Sequence, residues 1–293
     1  MSRPIRIEYE NAVYHVMNRG RGRTTIFHGN TFTSLFLDCL KEASQQFGLE
    51  VLAYCLMGNH YHLLVRTPRA NLGRCMRHVN GVYTQRYNKL QKTDGPLFRG
   101  RYKAIVVDAD SYLLQVSRYI HRNPIETKIP LVVKLADYID SSYPAYINRV
   151  EVPSWLNCEF VLSALSTRTK YSAYQAFVES EQDEILNDFY ALESQPAILG
   201  EKNFVAKVKE YAMLGSKEIS EDGLHQPLSI ESVISKVADY FDLSPQEILQ
   251  TERGAGKKNT PRKIAMYLCK QYTDSTLIQI AGYFNVGHYS TVS

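Results

Sequence analysis

Cysteine motifs, long apolar runs and a leader-like start are all missing from this chain, and each absence narrows what it can be. The five cysteines, Cys39, Cys55, Cys75, Cys158 and Cys269, lie far apart with no CxxC pair and no even framework. That argues against a zinc knuckle or a disulfide scaffold and predicts reduced thiols in a cytosolic protein. No run of about 18 apolar residues occurs, which argues against a membrane-spanning helix. The start, Met1-Ser2-Arg3-Pro4-Ile5-Arg6, lacks the apolar stretch of a secretion signal. A soluble protein with no membrane partner is expected.

Acidic residues are also scarce, but only at first. Residues 1–130 hold 19 Lys/Arg against 9 Asp/Glu, residues 131–224 hold 8 against 15, and residues 225–293 hold 7 against 6. A basic segment followed by an acidic one predicts that the first works on a polyanion, the alternative being a solvated basic surface. With 293 residues the chain has room for two or three modest domains. The expected divisions are 1–130, 131–224 and 225–293.

The first segment is organised around Met57-Gly58-Asn59-His60-Tyr61-His62-Leu63-Leu64-Val65. Leu49 to Met57 is an apolar run, Gly58-Asn59 is a hairpin signal, and His60 to Arg66 alternates again. Side chains alternate faces along a strand, so His60 and His62 share one face and can bind a single divalent ion. A hydrogen-bonded histidine pair in a half-buried strand is the competing reading.

Around this hairpin the pattern is that of a compact α+β unit. Ala12 to Val16 reads as a strand, leading to a glycine-arginine loop with Arg19, Arg21 and Arg23 suited to phosphate contacts. Thr31 to Phe47 and Asn71 to Leu90 have helical spacing. Leu97-Phe98-Arg99-Gly100-Arg101-Tyr102-Lys103 is basic with interleaved aromatics and leads into a strand, Ala104 to Val107. The order βαββαβ is that of a ferredoxin-like split βαβ sheet with helices on one face. A further helix follows Asp108 or Asp110 and stops at Asn123-Pro124, because the residue before proline is biased away from helix. Its buried stripe is Leu113, Val116 and Ile120, bordered by Tyr112, Tyr119 and Asn123, with Arg118 and Arg122 on the far side.

These segments, in this order, resemble the single-tyrosine HUH transposases, specifically the REP-associated tyrosine transposases. The resemblance rests on Met57 to His62, on Leu97 to Lys103 and on Arg118-Tyr119-Ile120-His121-Arg122-Asn123-Pro124. It extends to about residue 210 through Ser141-Ser142-Tyr143, Trp155-Leu156, Tyr174 to Val178 and Leu199-Gly200 to Phe204. It implies an HUH catalytic domain and metal-dependent endonuclease and strand-transfer chemistry on single-stranded or hairpin DNA at palindromic repeats. Tyr119 is the implied nucleophile, forming a 5′-phosphotyrosine. Mg²⁺ or Mn²⁺ is the implied cofactor, held by His60, His62 and Asn123. Arg19, Arg21, Arg23, Arg99, Arg101 and Lys103 would follow the DNA backbone, and Tyr102 or Phe98 could stack on bases. A non-catalytic DNA-binding regulator and a phosphoesterase that uses water are the alternatives. Relatives of this kind include dimers, so monomer and homodimer both stay open, and a place in the cytoplasm at the bacterial nucleoid is expected.

The middle segment shows helical patterns at Cys158 to Leu165, Tyr171 to Phe177, Glu184 to Leu192 and Phe204 to Met213, with no chemical motif. A helical extension that scaffolds the sheet or covers its cleft is expected. The last segment reads as a small all-α helix-turn-helix domain. It resembles the C-terminal DNA-binding domain of the DnaA replication initiator through Pro261 to Leu268 and Ser290-Thr291-Val292. Where those initiators carry Arg-Asp-His, this chain has Gly287-His288-Tyr289. The resemblance implies duplex-DNA contacts from Lys257, Lys258, Arg262, His288, Tyr289, Ser290 and Thr291.

Overall fold

The computed structural model describes residues 7–180, 184–192, 196–215, 228–250, 259–273 and 275–287. It falls into two compact units, Met1–Lys217 and Glu218–Ser293.

In the first unit β1 (Ala12–Arg19) is followed by α1 (Asn30–Phe47), the hairpin β2 (Glu50–Met57) and β3 (His60–Thr67), α2 (Leu72–Gln91) and β4 (Lys103–Val107). The hairpin turns on Gly58 and Asn59, as its sequence signals. Strand β1 runs to Arg19, three residues past the apolar run that predicted it, because its backbone pairs with β3 through Arg19↔His60. After α1 the chain reverses at Gly48, whose φ of 71° a side chain would disfavour. Phe36 of α1 packs on Tyr61 with ring centroids 4.9 Å apart, and the Tyr61 hydroxyl donates to Asn80 of α2 at 2.8 Å. Both helices therefore cover the Tyr61 face. The opposite face receives α3 (Ala109–Arg122), which packs on β2 and β3.

The acidic segment supplies α4 (Tyr143–Tyr146), α5 (Cys158–Leu162), α6 (Lys170–Glu179), α7 (Glu184–Ala191), β5 (Ile198–Leu199) and α8 (Lys202–Gly215). The sequence pattern predicts helices here but not β5, whose two residues are too short for a periodic signal. Their pairing is parallel to β4, through Val106↔Ile198 and Val107↔Leu199, and completes a five-stranded sheet of order β2-β3-β1-β4-β5. At the other edge, β2 is capped by the bridges Val51↔Leu156 and Cys55↔Ser141, so its outer backbone groups gain partners. The extension thus closes both edges of the sheet.

Extension helices also bury the outer side of α3. Arg118 is buried, its guanidinium 4.4 Å from the centre of the Phe177 ring, and Arg122 donates to the Val178 carbonyl at 2.8 Å. The far side of the helix, where both arginines fall, is thus covered by the extension, which their stems and charge bind. Behind them His121 is fully enclosed, with Nε2 2.7 Å from Ser142 Oγ and Nδ1 2.8 Å from Tyr174 Oη.

The second unit contains α9 (Ile230–Phe241), α10 (Pro245–Leu249), α11 (Thr260–Tyr272) and α12 (Leu277–Tyr283). Capping boxes at Ser244/Glu247 and Thr276/Gln279 start α10 and α12, satisfying backbone donors that a helix start leaves open. Ile234, Val237, Ile248, Ala265, Cys269, Ile280 and Phe284 form its core.

Burial lowers the His121 pKa from 6.5 to about 3. The unfolded chain therefore binds more protons than the folded one between those values, and stability must fall as pH is lowered from about 6.5 toward about 3. One such group contributes about 1.4 kcal/mol per pH unit across that window. Unfolding free energies measured by urea titration from pH 7 to 4 should fall at least this steeply, and His121→Gln should reduce the slope by about that amount.

Candidate active site and nucleic-acid interface

Alternation along β3 turns His60 and His62 to the α3 side, with ring centroids 5.2 Å apart. Each ring has its Nδ1 engaged. His60 Nδ1 is 2.7 Å from Asn59 Oδ1, and His62 Nδ1 is 2.9 Å from Nε2 of His15 on β1. His15 in turn has Nδ1 2.6 Å from the Tyr190 hydroxyl of α7. Burial lowers the pKa of all three histidines, His15 to about 3 with help from the Lys103 charge, and His62 further depressed by its histidine neighbours. All three are neutral at pH 7, the state in which an imidazole is a ligand.

Tyr119 lies across this group. Its ring centroid is 5.9 Å from that of His62 and 5.8 Å from that of His15, and it stacks on Tyr190 at 4.0 Å with the planes 13° apart. Burial, with the Glu126 charge behind it, raises its pKa to about 12. Asn123 follows one turn later. The helix ends at Arg122, at the expected stop, and Asn123 caps it with its backbone still in the helical region at φ −45° and ψ −41°. Its Nδ2 donates to the Tyr119 carbonyl at 2.8 Å, which leaves Oδ1 as the acceptor available to a ligand.

Among the described residues no group of three or more His, Cys, Asp or Glu side chains converges as a metal cage. The donor set here is smaller: two neutral imidazoles, each with Nδ1 held by another group and Nε2 left to ligate. Such a pair suits a divalent ion that keeps open positions for water and a phosphate oxygen, and the hydrogen bonds on Nδ1 are those that orient ligating histidines. The residues present fit a divalent metal ion.

A basic rim borders the same end of the sheet. Arg19 pairs with His60 across β1 and β3, and Lys103 pairs with Met17, which itself pairs with His62, so Arg19 and Lys103 stand on the histidine face. The Arg21 amide donates to Leu97 O and the Arg99 amide to Arg19 O, both at 2.9 Å, which lays the two basic loops side by side. Gly20 sits at this junction, where a Cβ would lie 2.2 Å from the Thr24 carbonyl oxygen. Arg21, Arg23, Arg99 and Arg101 are exposed, and Tyr102 is half-buried.

The C-terminal candidates fare differently. Arg262 is corrected from a DNA contact to an internal brace. It is buried, its guanidinium donates to the Leu249 and Phe284 carbonyls, and it lies over the Phe284 ring at 5.6 Å. Those carbonyls end α10 and α12, where helices leave acceptors without intrahelical partners, and a guanidinium satisfies both. Lys257, Lys258, His288, Tyr289, Ser290 and Thr291 lie outside the described residues, as does the helix expected to follow Gly287.

His15 and Tyr190 are the functional-site residues that motif reading misses. His15 shares the parity of Met17 and Arg19 on β1, so pairing that strand with the histidine strand is the one signal that finds it. Tyr190 leaves no signal, since it is one of 21 tyrosines and reaches the site from a distant helix.

Residues 8–123 match the family described as IS200-like transposase, and residues 230–293 match the bacterial DnaA helix-turn-helix. Residues 8–123 are an IS200-like transposase domain. The C-terminal segment is a DnaA-type helix-turn-helix domain. Chromosomal replication initiator DnaA of Cutibacterium acnes is 40% identical over 76 residues, 26% of this chain and 15% of that protein. DnaA of Limosilactobacillus reuteri is 25% identical over 189 residues, 58% of this chain and 42% of that protein. This chain therefore spans less than half the length of either initiator. A solved REP-associated tyrosine transposase bound to a REP hairpin is 15% identical, with a TM-score of 0.45 over 52% of this chain and 89% of that one. Among the described residues no helix is long and apolar enough to cross a membrane.

In the DnaA-type domain, Arg262→Met should destabilise the fold by about 2–4 kcal/mol, because two buried carbonyls lose their donor. Chemical unfolding of the full chain, followed through the transition assigned to the C-terminal unit, checks this. A surface DNA contact would leave that transition unmoved.

Proposed function

We propose that the transposase domain is a metal-dependent, single-tyrosine DNA nuclease and strand transferase. The observation that carries this reading is the convergence on one sheet face of Tyr119 with His60 and His62, two elements more than 50 residues apart in sequence. Residues 1–130 hold the chemistry, 131–224 form the extension and 225–293 add a duplex-DNA contact. The substrate is single-stranded DNA, folded as a hairpin at palindromic repeats.

His60 and His62, with Asn123 Oδ1, would hold Mg²⁺ or Mn²⁺. When bound, the ion supplies positive charge at a non-bridging phosphate oxygen and orients the scissile group. Arg19 and Lys103, on the same face, hold the backbone on either side. Tyr119 Oη forms a bond to phosphorus as the bond from phosphorus to the 3′-oxygen breaks. The phenol gives up its proton and the leaving 3′-oxygen takes one up, giving a 5′-phosphotyrosine and a free 3′-OH. The number of phosphoester bonds is unchanged, so the reverse attack by a 3′-OH rejoins or transfers the strand without ATP. Tyr119 is protonated at neutral pH with a pKa near 12, so the reaction depends on charge stabilisation at the phosphate.

The test is a denaturing gel of labelled single-stranded oligonucleotides tiled across DNA flanking the gene, with Mg²⁺ or Mn²⁺. Wild type should shift label to protein mass, Tyr119→Phe should give no adduct, and His60→Ala should lower the rate by about 100-fold or more. Chelation should abolish the adduct and either metal should restore it. Cleavage without adduct in both wild type and Tyr119→Phe would mean hydrolysis by water and sink the role of Tyr119. Binding with no cleavage at any metal concentration would make the protein a regulator. Separately, Arg99→Ala or Arg101→Ala should weaken single-strand binding and reduce its log–log salt slope by about 0.7 each, read by fluorescence anisotropy.

A further inference from the structure

His15 is an imidazole on a face of β1 whose flanking positions are apolar, Val13 being buried and Met17 half-buried on either side of it. A buried polar ring is retained in a sheet only where its nitrogens are bonded. Both of its nitrogens are: Nε2 to His62 Nδ1 at 2.9 Å, and Nδ1 to the Tyr190 hydroxyl at 2.6 Å.

A neutral imidazole carries one proton, so each contact in this series needs one donor and one acceptor. Only two arrangements satisfy both contacts. In the first, His62 Nδ1–H donates to His15 Nε2, and His15 Nδ1–H donates to Tyr190 Oη. In the second every direction reverses: Tyr190 donates to His15 Nδ1, His15 Nε2–H donates to His62 Nδ1, and the His62 proton sits on Nε2. Ligation needs a lone pair on His62 Nε2, since Nδ1 is already engaged. The first arrangement provides it and the second forbids it.

We infer that His15 is a positioning residue for His62, accepting its Nδ1 proton so that the Nε2 lone pair is fixed toward a divalent ion, with Tyr190 of the extension holding His15 in the matching tautomer. The inference rests on the reading of His60 and His62 as ligands. It gives the two ligands different supports. His60 is oriented by its own neighbour, Asn59, whereas His62 depends on a second strand and, through it, on helix α7. Ring orientation of this kind sets metal affinity, and loss of the partner of a ligating histidine weakens binding by about 10- to 100-fold.

Two measurements test it on the full chain without DNA. The first is a two-bond ¹H–¹⁵N spectrum of histidine-labelled wild type at neutral pH, assigned with His15→Gln and His62→Ala. Protons on Nδ1 of both His15 and His62 are expected, and a proton on His62 Nε2 overturns the inference whatever the variants do. The second is Mn²⁺ affinity from the free-ion paramagnetic resonance signal, with circular dichroism as the check on folding. His15→Leu should weaken binding about 10- to 100-fold. His15→Gln, whose amide oxygen can take the place of the Nε2 acceptor, should recover most of it. Equal loss in Leu and Gln would make His15 a packing residue and overturn the proposal. Loss in His62→Ala with wild-type affinity in His15→Leu overturns the inference alone. Wild-type affinity in His62→Ala overturns the ligand reading and the inference with it.

Discussion

The register between β1 and β3 is the constraint on which the site depends. Met17 faces His62 and Arg19 faces His60 across this pair, which places His15, the two candidate ligands and the first rim arginine on one face. A slip of one residue would turn every side chain of β1 to the opposite face, moving His15 and Arg19 to the α1/α2 side and removing the His15 contact. The register is held by core packing: Tyr14 and Val16, of opposite parity, are buried on the other face, and a slip in either direction would put the polar ring of His15 in place of one of them.

Upon this sheet the acidic extension is structural in a specific sense. It supplies β5 on one edge, caps β2 on the other, covers Arg118 and Arg122 of α3, and brings Tyr190 onto both Tyr119 and His15. Tyr119 is therefore fixed from two sides, by its helix and by an aromatic stack worth about 0.5–1.5 kcal/mol beyond area burial. Its phenol is held protonated by the same burial. The charge division of the chain follows this geometry: basic side chains collect at the end of the sheet beside the histidines, and acidic ones lie in the segment that wraps it.

The DnaA-type domain solves a different problem with the same chemistry. Its four described helices offer many unsatisfied ends, and Arg262 ties two of those ends to one guanidinium. An arginine in a segment that resembles a DNA-binding domain invites a reading as a phosphate contact. Burial and carbonyl partners decide otherwise, because a guanidinium has five donors and no need of DNA to satisfy them.

Local pattern determined much of this protein. Strand alternation placed His60 and His62 on one face, Gly58-Asn59 set the hairpin, 3.6-residue periodicity gave the buried stripe of α3 with Tyr119 and Asn123 along its border, and the order of elements gave a split βαβ sheet. Those features depend on residues close in sequence, whose geometry is fixed by backbone repeat. Tertiary structure alone decided the rest: that His15 meets His62, that Tyr190 stacks on the nucleophile candidate, that two residues near 198 extend the sheet, that Arg118 and Arg122 are covered, and that Arg262 faces inward. Each is a contact between segments far apart in the chain, set by which surfaces exclude water together, and no periodicity within either segment encodes its partner.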